Sequence, residues 1–326
     1  MQTRYVMAMT VMAASAFAGV FVTSPASAQD AWPAKPVKVL VGLAPGGATD
    51  IQARLFSQKL SEDFGRAFVV ENRPGAGELI AIQAVISSPA DGYTALSVTT
   101  SLTILPAFQE KPSYDPLKDL APVSLITKAP YMVVVPAASP AKTMKDLLGM
   151  AKSGNVNFGT GGPGTIIHLG GTWIGNSIGT PITIVHYKGI GPALTALMSN
   201  EIQMTFANPI TALPQVKAGK FRALAVTSAE RSKALTSLGT VAASGISGFD
   251  VTTWHGWLLP RATPAAIVGR LQGAISKMIQ AKDLSESITS QGGDAGGSTP
   301  EQFAQLISAE LPRWSKLVRE NNIKAE

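Results

Sequence analysis

Residues 45–50, Pro-Gly-Gly-Ala-Thr-Asp, form a loop that stands between a strand-like run and a helix-like pattern. The chemistry this loop offers is anion binding. Glycine lets a ligand approach the backbone closely, and the free N–H groups and dipole of a following helix stabilise negative charge. Thr49 or Asp50 is predicted to be the N-cap of that helix. A capped turn that binds nothing is the alternative interpretation of the loop taken alone.

A second glycine loop, Gly159 to Gly164, stands in the same place between a strand pattern and a helix pattern. It satisfies G-x-G-x-x-G, the dinucleotide fingerprint, which also requires an acidic residue about 20 positions further on. No Asp or Glu occurs from Leu147 to Asn200, so the sequence fails that requirement. The same lack of carboxylates, with Lys152 and Lys188 present, favours an anionic guest.

Three further patterns could indicate catalysis or metal binding, and each lacks its context. Gly175–Gly179 reads G-x-S-x-G, but a helix pattern precedes it and a strand follows, the reverse of a nucleophile elbow. Ser139–Lys142 reads S-x-x-K without the S-D-N or K-T-G partner. His168, His186 and His255 are widely spaced and no cysteine accompanies them, so they make no recognisable metal set. We therefore predict a protein that is not an enzyme and that uses no cofactor and no metal ion.

Alternating strand and helix patterns must position the two glycine loops. Apolar β-branched runs alternate with helical periodicity from residue 37 to residue 227, and three helices are predicted at 264–281, 284–290 and 300–320. This pattern predicts an α/β fold of two similar lobes, each a doubly wound, mostly parallel sheet, that face each other across a cleft. We expect lobe 1 to comprise residues 29–128 plus 251–326, and lobe 2 to comprise residues 129–250.

The N-terminus has the three parts of a secretory signal peptide. Arg4 is basic, Val6 to Val22 is apolar, and Ala26-Ser27-Ala28 is a cleavage site, so residues 1–28 are expected to be removed. No later run is long and apolar enough to span a bilayer. The whole chain has a formal net charge of +6 and the mature chain +5, without clusters of Lys or Arg. We expect a soluble, exported protein that does not bind nucleic acid.

Seven motifs together resemble one family, the extracytoplasmic solute receptors of tripartite tricarboxylate transporters, known as the Bug family. The motifs are PGGATD (45–50), VENRPGAG (70–77), PADGYT (89–94), YDPLKDLAPVS (114–124), HYKG-x-GPAL (186–194), TALPQVKAGKFRALAVTS (211–228) and ATPAAIVGRL (262–271). The resemblance implies a type II-like periplasmic binding protein, a Venus flytrap with its ligand between the lobes. It also implies a monomer that passes a small dicarboxylic, aromatic or amino acid to small and large membrane permease subunits. A protein that senses the ligand and signals to a membrane sensor is the alternative function.

The resemblance also implies a set of ligand contacts. They are Gly46, Gly47, Ala48, Thr49, Asp50, Thr99, Thr100, Ser101, Thr160, Gly161, Gly164, Thr165 and Asn208. For Asp50 two roles remain open: capping the helix, which the sequence favours, or selecting a ligand with an amine or hydroxyl group.

Five positions depart from the family pattern, and each departure alters the shape or the charge of the cleft. Ala48 and Glu78 replace glycines, Ala207 replaces an acidic residue, and Gly162-Pro163 replaces a looser run. Glu78 has a simpler interpretation as a favourable charge in the first turn of a helix.

Overall fold

Two mixed sheets of six strands each organise the computed structural model, which describes residues 32–232, 234–290, 292–320 and 323–324. The predicted signal peptide, residues 1–28, lies outside the described residues. Residues 33–326 cluster as one unit that contains both sheets. Within the described ranges, every helix is too short or too polar to cross a bilayer.

The first sheet is built from the two ends of the chain, and we call the elements on it the first lobe. Its strands are β1 (Val37–Val41), β2 (Phe68–Asn72), β3 (Thr94–Thr99), β4 (Leu120–Pro130), β11 (Thr252–Pro260) and β12 (Asp294–Ala295). Its helices are α1 (Ala48–Phe64), α2 (Leu79–Ile86), α3 (Ser101–Ile104), α8 (Ala265–Gln280), α9 (Lys282–Ser290) and α10 (Pro300–Glu320). Two 3-10 turns, Ala76–Glu78 and Leu105–Phe108, precede α2 and follow α3.

The second sheet is built from the middle of the chain, and we call the elements on it the second lobe. Its strands are β5 (Met132–Pro136), β6 (Asn157–Thr160), β7 (Thr183–His186), β8 (Met204–Ala207), β9 (Phe221–Val226) and β10 (Gly239–Thr240). Its helices are α4 (Met144–Lys152), α5 (Ile166–Ile178), α6 (Ile190–Met198) and α7 (Pro209–Lys217), and a 3-10 turn lies at Ala242–Ser244.

The two sheets share one design. The strand orders are β12-β4-β11-β3-β1-β2 and β10-β9-β5-β8-β6-β7. Strands β1, β2 and β3 pair in parallel, as do β6, β7 and β8, while β11 in one sheet and β5 in the other run antiparallel to both of their neighbours. The carboxyl ends of the parallel strands carry the glycine loops, which is where ligands bind in such sheets.

Helix α10 connects the two hydrophobic cores. Phe303 and Ile307 pack in the core of the first sheet, whereas Trp314 and Val318 pack in the core of the second. Between them lies Glu310, whose Oε2 accepts hydrogen bonds from Thr103, Trp254 and Trp314 at 2.8–3.3 Å. Because this helix contributes to both cores, the lobe boundaries at 128/129 and 250/251 stay a prediction.

The predicted order of strands and helices is present, with corrections at the ends of elements. The two-residue strands β10 and β12 were not expected, because pairs this short leave no periodic signal. The prediction that Thr49 or Asp50 is the N-cap of α1 is wrong. Helix α1 begins at Ala48, and Gly47, in an extended conformation at φ −82° and ψ 167°, is the N-cap.

Candidate functional site

A small cavity lies where loops of the two lobes meet. Its volume is about 30 Å³, and fifteen residues line it. The first lobe contributes Leu43, Gly47, Ala48, Thr49, Glu78, Thr99, Ser101 and His255, the second contributes Gly161, Thr165, Ile166, Ile167, Ile190 and Asn208, and Tyr131 lies at the crossover. No Lys or Arg is among these described residues. Any anion held here must therefore be stabilised mainly by amides, hydroxyls and helix dipoles.

The cavity brings together many of the residues that the sequence pointed to. Eight of the thirteen expected contacts line it: Gly47, Ala48, Thr49, Thr99, Ser101, Gly161, Thr165 and Asn208. The other five, Gly46, Asp50, Thr100, Thr160 and Gly164, lie next to lining residues in the chain but do not face the cavity. The assignment of all thirteen as ligand contacts stays a prediction.

The N-terminus of α1 opens on the cavity without a side-chain cap. Gly47 offers no side chain, and no hydrogen bond caps the first turn from the N-cap position. The first backbone N–H groups of a helix have no partner within the helix, so those of Ala48 and Thr49 are available to a ligand. The positive end of the helix dipole points the same way.

Asp50 turns its carboxylate away from the cavity and anchors the loop. It accepts hydrogen bonds from the Gly46 N–H at 3.1 Å and from Asn72 Nδ2 at 3.0 Å, and it pairs with Arg54 at 2.9 Å. Burial on its own would raise the pKa of Asp50, but the hydrogen bonds from Arg54, Gly46 and Asn72 outweigh it and lower the pKa. Asp50 is the third residue of α1, and its carboxylate thus binds the N–H of Gly46, the residue before the N-cap.

The N-terminus of α5, in the second lobe, is held by its own side chains. Thr165 is the N-cap, and its hydroxyl accepts from the His168 N–H at 3.3 Å and donates to the Gly162 carbonyl at 2.7 Å. The Thr160 hydroxyl contacts Nδ1 of His186 at 2.8 Å and accepts from the Gly162 N–H at 3.1 Å. The loop is therefore held by its own hydrogen bonds and carries no charged side chain, and it presents Gly161 and the first turn of α5 to the cavity.

Asn208 offers the cavity an amide donor. Its Oδ1 accepts from the Ile210 N–H at 3.1 Å and so caps α7. Its Nδ2 is fully buried, and no described residue accepts a hydrogen bond from it. A buried donor left without an acceptor costs about 1–3 kcal/mol. An acceptor atom of a bound ligand would remove that cost.

Glu78 brings a carboxyl group to the opposite wall. Its side chain is 0% exposed, and its oxygens accept from the Thr99 N–H at 3.2 Å and from the Thr99 hydroxyl. Burial raises the pKa of Glu78 to about 7, although the hydrogen bonds from Thr99 act in the opposite direction. Glu78 lies in the first turn of the 3-10 helix Ala76–Glu78 but precedes α2, so its interpretation as a charge in the first turn of α2 is wrong. At φ 88° it makes no capping hydrogen bond to α2, because its carboxyl group is bound by Thr99 at the cavity wall.

The histidines near the cavity are neutral. Burial lowers the pKa of His255 to about 4, and burial together with the nearby His186 lowers that of His168 to about 4. Nδ1 of His168 accepts from the Gly164 N–H at 3.2 Å, and the ring stacks on Phe108. Among the described residues, no three His, Asp or Glu side chains gather in a way that could hold a metal ion.

The two lobes touch around the cavity. The Ala44 N–H donates to the Lys188 carbonyl at 2.8 Å, which joins the two glycine-bearing lobes through their backbones. A Cβ added at Gly189 would lie 2.9 Å from the Ala44 nitrogen, and one added at Gly77 would overlap the Pro163 carbonyl oxygen. Only glycine allows these approaches. The structure therefore has the lobes closed against each other.

Sequence reasoning missed several cavity residues. Leu43, Ile166, Ile167 and Ile190 line the cavity as apolar neighbours of glycine loops, and Tyr131 lines it from the crossover between β4 and β5. An apolar or aromatic residue at the end of an element carries no functional signal of its own. His255, which in the sequence is only one of three widely spaced histidines, lines the cavity from β11, and its Nδ1 contacts the Thr127 hydroxyl at 3.2 Å. Glu78 did carry a signal, as a charged residue in place of a glycine.

Comparison with protein families and relatives gives consistent matches. The model of the tripartite tricarboxylate transporter family receptor matches residues 52–323. A UPF0065 protein in the tcbD-tcbE intergenic region of Pseudomonas sp. (strain P51) is 35% identical, with 97% of this chain and 95% of the relative covered. Protein BugT of Bordetella pertussis is 32% identical, with 93% and 94% covered.

Solved structures of similar proteins share the fold. A periplasmic transporter is 34% identical with a TM-score of 0.86, covering 90% of this chain and all of that one. R. palustris Rpa4515 with adipate is 31% identical with a TM-score of 0.85, covering 90% and 99%. MatC from Rhodopseudomonas palustris with bound malate is 29% identical with a TM-score of 0.83, covering 88% and 100%. The predicted fold, a periplasmic binding protein of two α/β lobes, is confirmed.

Proposed function

The chain belongs to the receptor family of tripartite tricarboxylate transporters, and from this premise we propose that it captures a small carboxylate in the periplasm and delivers it to a membrane permease. The permease would consist of one small and one large subunit. The protein would turn over no substrate. Relatives solved with adipate and with malate support the choice of a carboxylate.

The observation that carries the proposal is the set of unpaired donors around a cavity without Lys or Arg. The N-termini of α1 and α5 reach it from opposite lobes, and the free Nδ2 of Asn208 lies between them. A carboxylate has two oxygens that accept several hydrogen bonds, and such charge-assisted bonds contribute about 1.5–3 kcal/mol each. One carboxylate group of the solute would be held by these amides.

The size of the cavity supports capture by closure of the lobes. Pockets for small molecules usually measure about 300–1,000 Å³, far more than the space enclosed here. A solute therefore needs the lobes to part before it can enter. The crossovers near residues 128–131 and 249–255 would act as the hinge, because they are the connections between the two sheets.

Export of the chain with cleavage after Ala28 is part of the proposal. It rests on the signal-peptide pattern and on relatives described as periplasmic. The intact mass of protein recovered from the envelope fraction tests it. A mass that still includes residues 1–28 would contradict export with cleavage.

A thermal-shift screen of small organic acids tests the binding function. Saturation at about 100 times the Kd should add about 2.7 kcal/mol to the stability of the folded protein. Gly47→Asp should abolish the shift, since aspartate is a good N-cap residue whose carboxylate would occupy the end of α1. The unliganded variant should stay folded, because the added Cβ meets only the Ile190 methyl group at 3.2 Å. Wild-type affinity in Gly47→Asp would contradict the proposed site.

A further inference from the structure

Glu78 is the one carboxyl group on the cavity wall, and its surroundings leave it without a counter-charge. Among the fifteen lining residues there is no Lys or Arg, and no described lysine or arginine forms an ion pair with it. Burying a carboxylate without a positive partner is strongly unfavourable. In this position the carboxyl group must either hold a proton or pair with a cation that the cavity wall does not provide.

The titratable groups around Glu78 cannot act as that partner. Burial raises the pKa of Tyr114 and of Tyr131, and the negative charge of Glu78 raises both further. The lowered pKa of His255 keeps this histidine neutral at physiological pH. All three groups are therefore uncharged at neutral pH, and none of them balances the carboxylate.

The backbone around Glu78 is shaped to hold its side chain. Glu78 has φ 88°, a conformation that glycine adopts readily and other residues adopt rarely. Gly42 lies directly against it, since a Cβ added at Gly42 would be 2.6 Å from the Cβ of Glu78. This strained conformation and the space left by Gly42 place Glu78 at the cavity wall. Backbone strain of this kind is common at functional sites.

The hydrogen bonds to Glu78 suit its ionised form. One oxygen accepts from the Thr99 N–H and the other from the Thr99 hydroxyl, whose own oxygen accepts from the Ser101 N–H at 3.2 Å. Each carboxylate oxygen can accept more than one hydrogen bond. Lone pairs beyond those that Thr99 uses could accept a hydrogen bond from a donor on a ligand.

We propose that Glu78 selects the solute by pairing with an ammonium group, so that this receptor takes a zwitterionic amino acid in preference to the same acid without the amine. The inference rests on the proposed function, because the carboxylate of the amino acid would be held by the N-termini of α1 and α5. The solute then supplies the two partners that the cavity lacks. Its carboxylate is a hydrogen-bond acceptor for Asn208, and its ammonium group is a cation for Glu78.

Matched pairs of ligands test the inference by titration calorimetry at pH 7. The probes are alanine and propionate, aspartate and succinate, glutamate and glutarate, and phenylalanine and 3-phenylpropionate. The tightest ligand should be an amino acid, bound at least about 30-fold more tightly than its partner without the amine. Binding should release about half a proton, because the empty site holds Glu78 partly protonated at that pH.

Glu78→Gln should lower the affinity for the amino acid about 10- to 100-fold and remove the proton release, while the acid without the amine binds as well as before or better. Glu78→Gly serves as a second variant in case the amide disturbs folding. Glu62→Gln, at an exposed position on α1, is the control for loss of one negative charge and should change nothing.

Two results would overturn the inference. If wild type binds an acid without an amine at least as tightly as the amino acid, or if Glu78→Gln leaves the preference unchanged, Glu78 does not select an amine, and the receptor function stands. If no probe from either series binds, the receptor function for these acids fails as well.

Discussion

The two walls of the cleft are built from the same strand–loop–helix unit but differ in charge and in how their loops are held. The first wall carries Glu78 in a strained conformation and an α1 N-terminus without a side-chain cap. The second wall comes from a stretch without Asp or Glu, and Thr165 already caps α5. A repeated fold therefore carries two different binding surfaces.

The difference indicates a division of roles between the walls. Loops that satisfy their own polar groups are rigid, so the second wall offers a fixed set of donors with Asn208 at its end. The first wall keeps a costly carboxyl group that only a bound cation or proton can stabilise. The carboxylate of the solute would thus contact both walls, whereas only the first wall carries a group that could distinguish one solute from another.

The largest effect is expected from keeping the two walls apart. Gly77→Ala places a Cβ on the Pro163 carbonyl oxygen across the cleft, and a backbone oxygen cannot move aside as a flexible side chain can. Affinity for the acid that wild type binds should fall at least about 100-fold, because the closed state is penalised. Small-angle scattering should show that the ligand no longer reduces the radius of gyration.

Gly219→Ala is the matched control for this prediction. Gly219 has φ +69° against +64° for Gly77, so alanine introduces similar backbone strain at both positions, but nothing lies within 4 Å of the added Cβ at Gly219. This variant should bind like wild type. Equal binding by the two variants would mean that closure does not need the contact between Gly77 and Pro163.

The next-largest effect is expected on the stability of the protein without ligand, which should depend on pH through Glu78 on the first wall. The pKa of Glu78 is about 7 in the folded protein against 4.5 for an ordinary glutamate. Between these pH values the folded protein keeps a proton that the unfolded chain has lost, so the free energy of unfolding falls as pH rises. The loss should reach about 3 kcal/mol above pH 7.

Urea unfolding at pH 5 and pH 8 measures this effect. Glu78→Gln cannot titrate, so its free energy of unfolding should fall by about 2.5 kcal/mol less than that of wild type over this range. Glu62→Gln should follow wild type, since that side chain is exposed. If the stabilities of wild type and Glu78→Gln change in parallel, Glu78 does not carry a raised pKa.

The sequence predicted the positions of the loops around this site better than the orientations of the side chains within it. Strand and helix periodicity located the loops at Gly46–Gly47 and Gly161–Gly164, because glycine turns and apolar periodicity are local signals. The orientation of a side chain is decided by tertiary contacts. Asp50 turns to Arg54 and Asn72, residues that the sequence places on a helix and at a strand end without showing that they meet.

The smallest effect should come from the neutral wall, where one donor is removed and the fold is kept. In Asn208→Ser the hydroxyl can still accept from the Ile210 N–H, because serine is as good an N-cap residue as asparagine. The amide Nδ2, which has no acceptor among the described residues, is lost. Unliganded stability should therefore stay the same or rise slightly, whereas affinity falls about 10- to 100-fold, the contribution of one hydrogen bond to a charged group.

Asn208→Asp keeps the same cap but adds a negative charge, so it should bind the acid more weakly still. If both variants bind like wild type, Nδ2 does not contact the solute and the second wall acts through the α5 N-terminus alone.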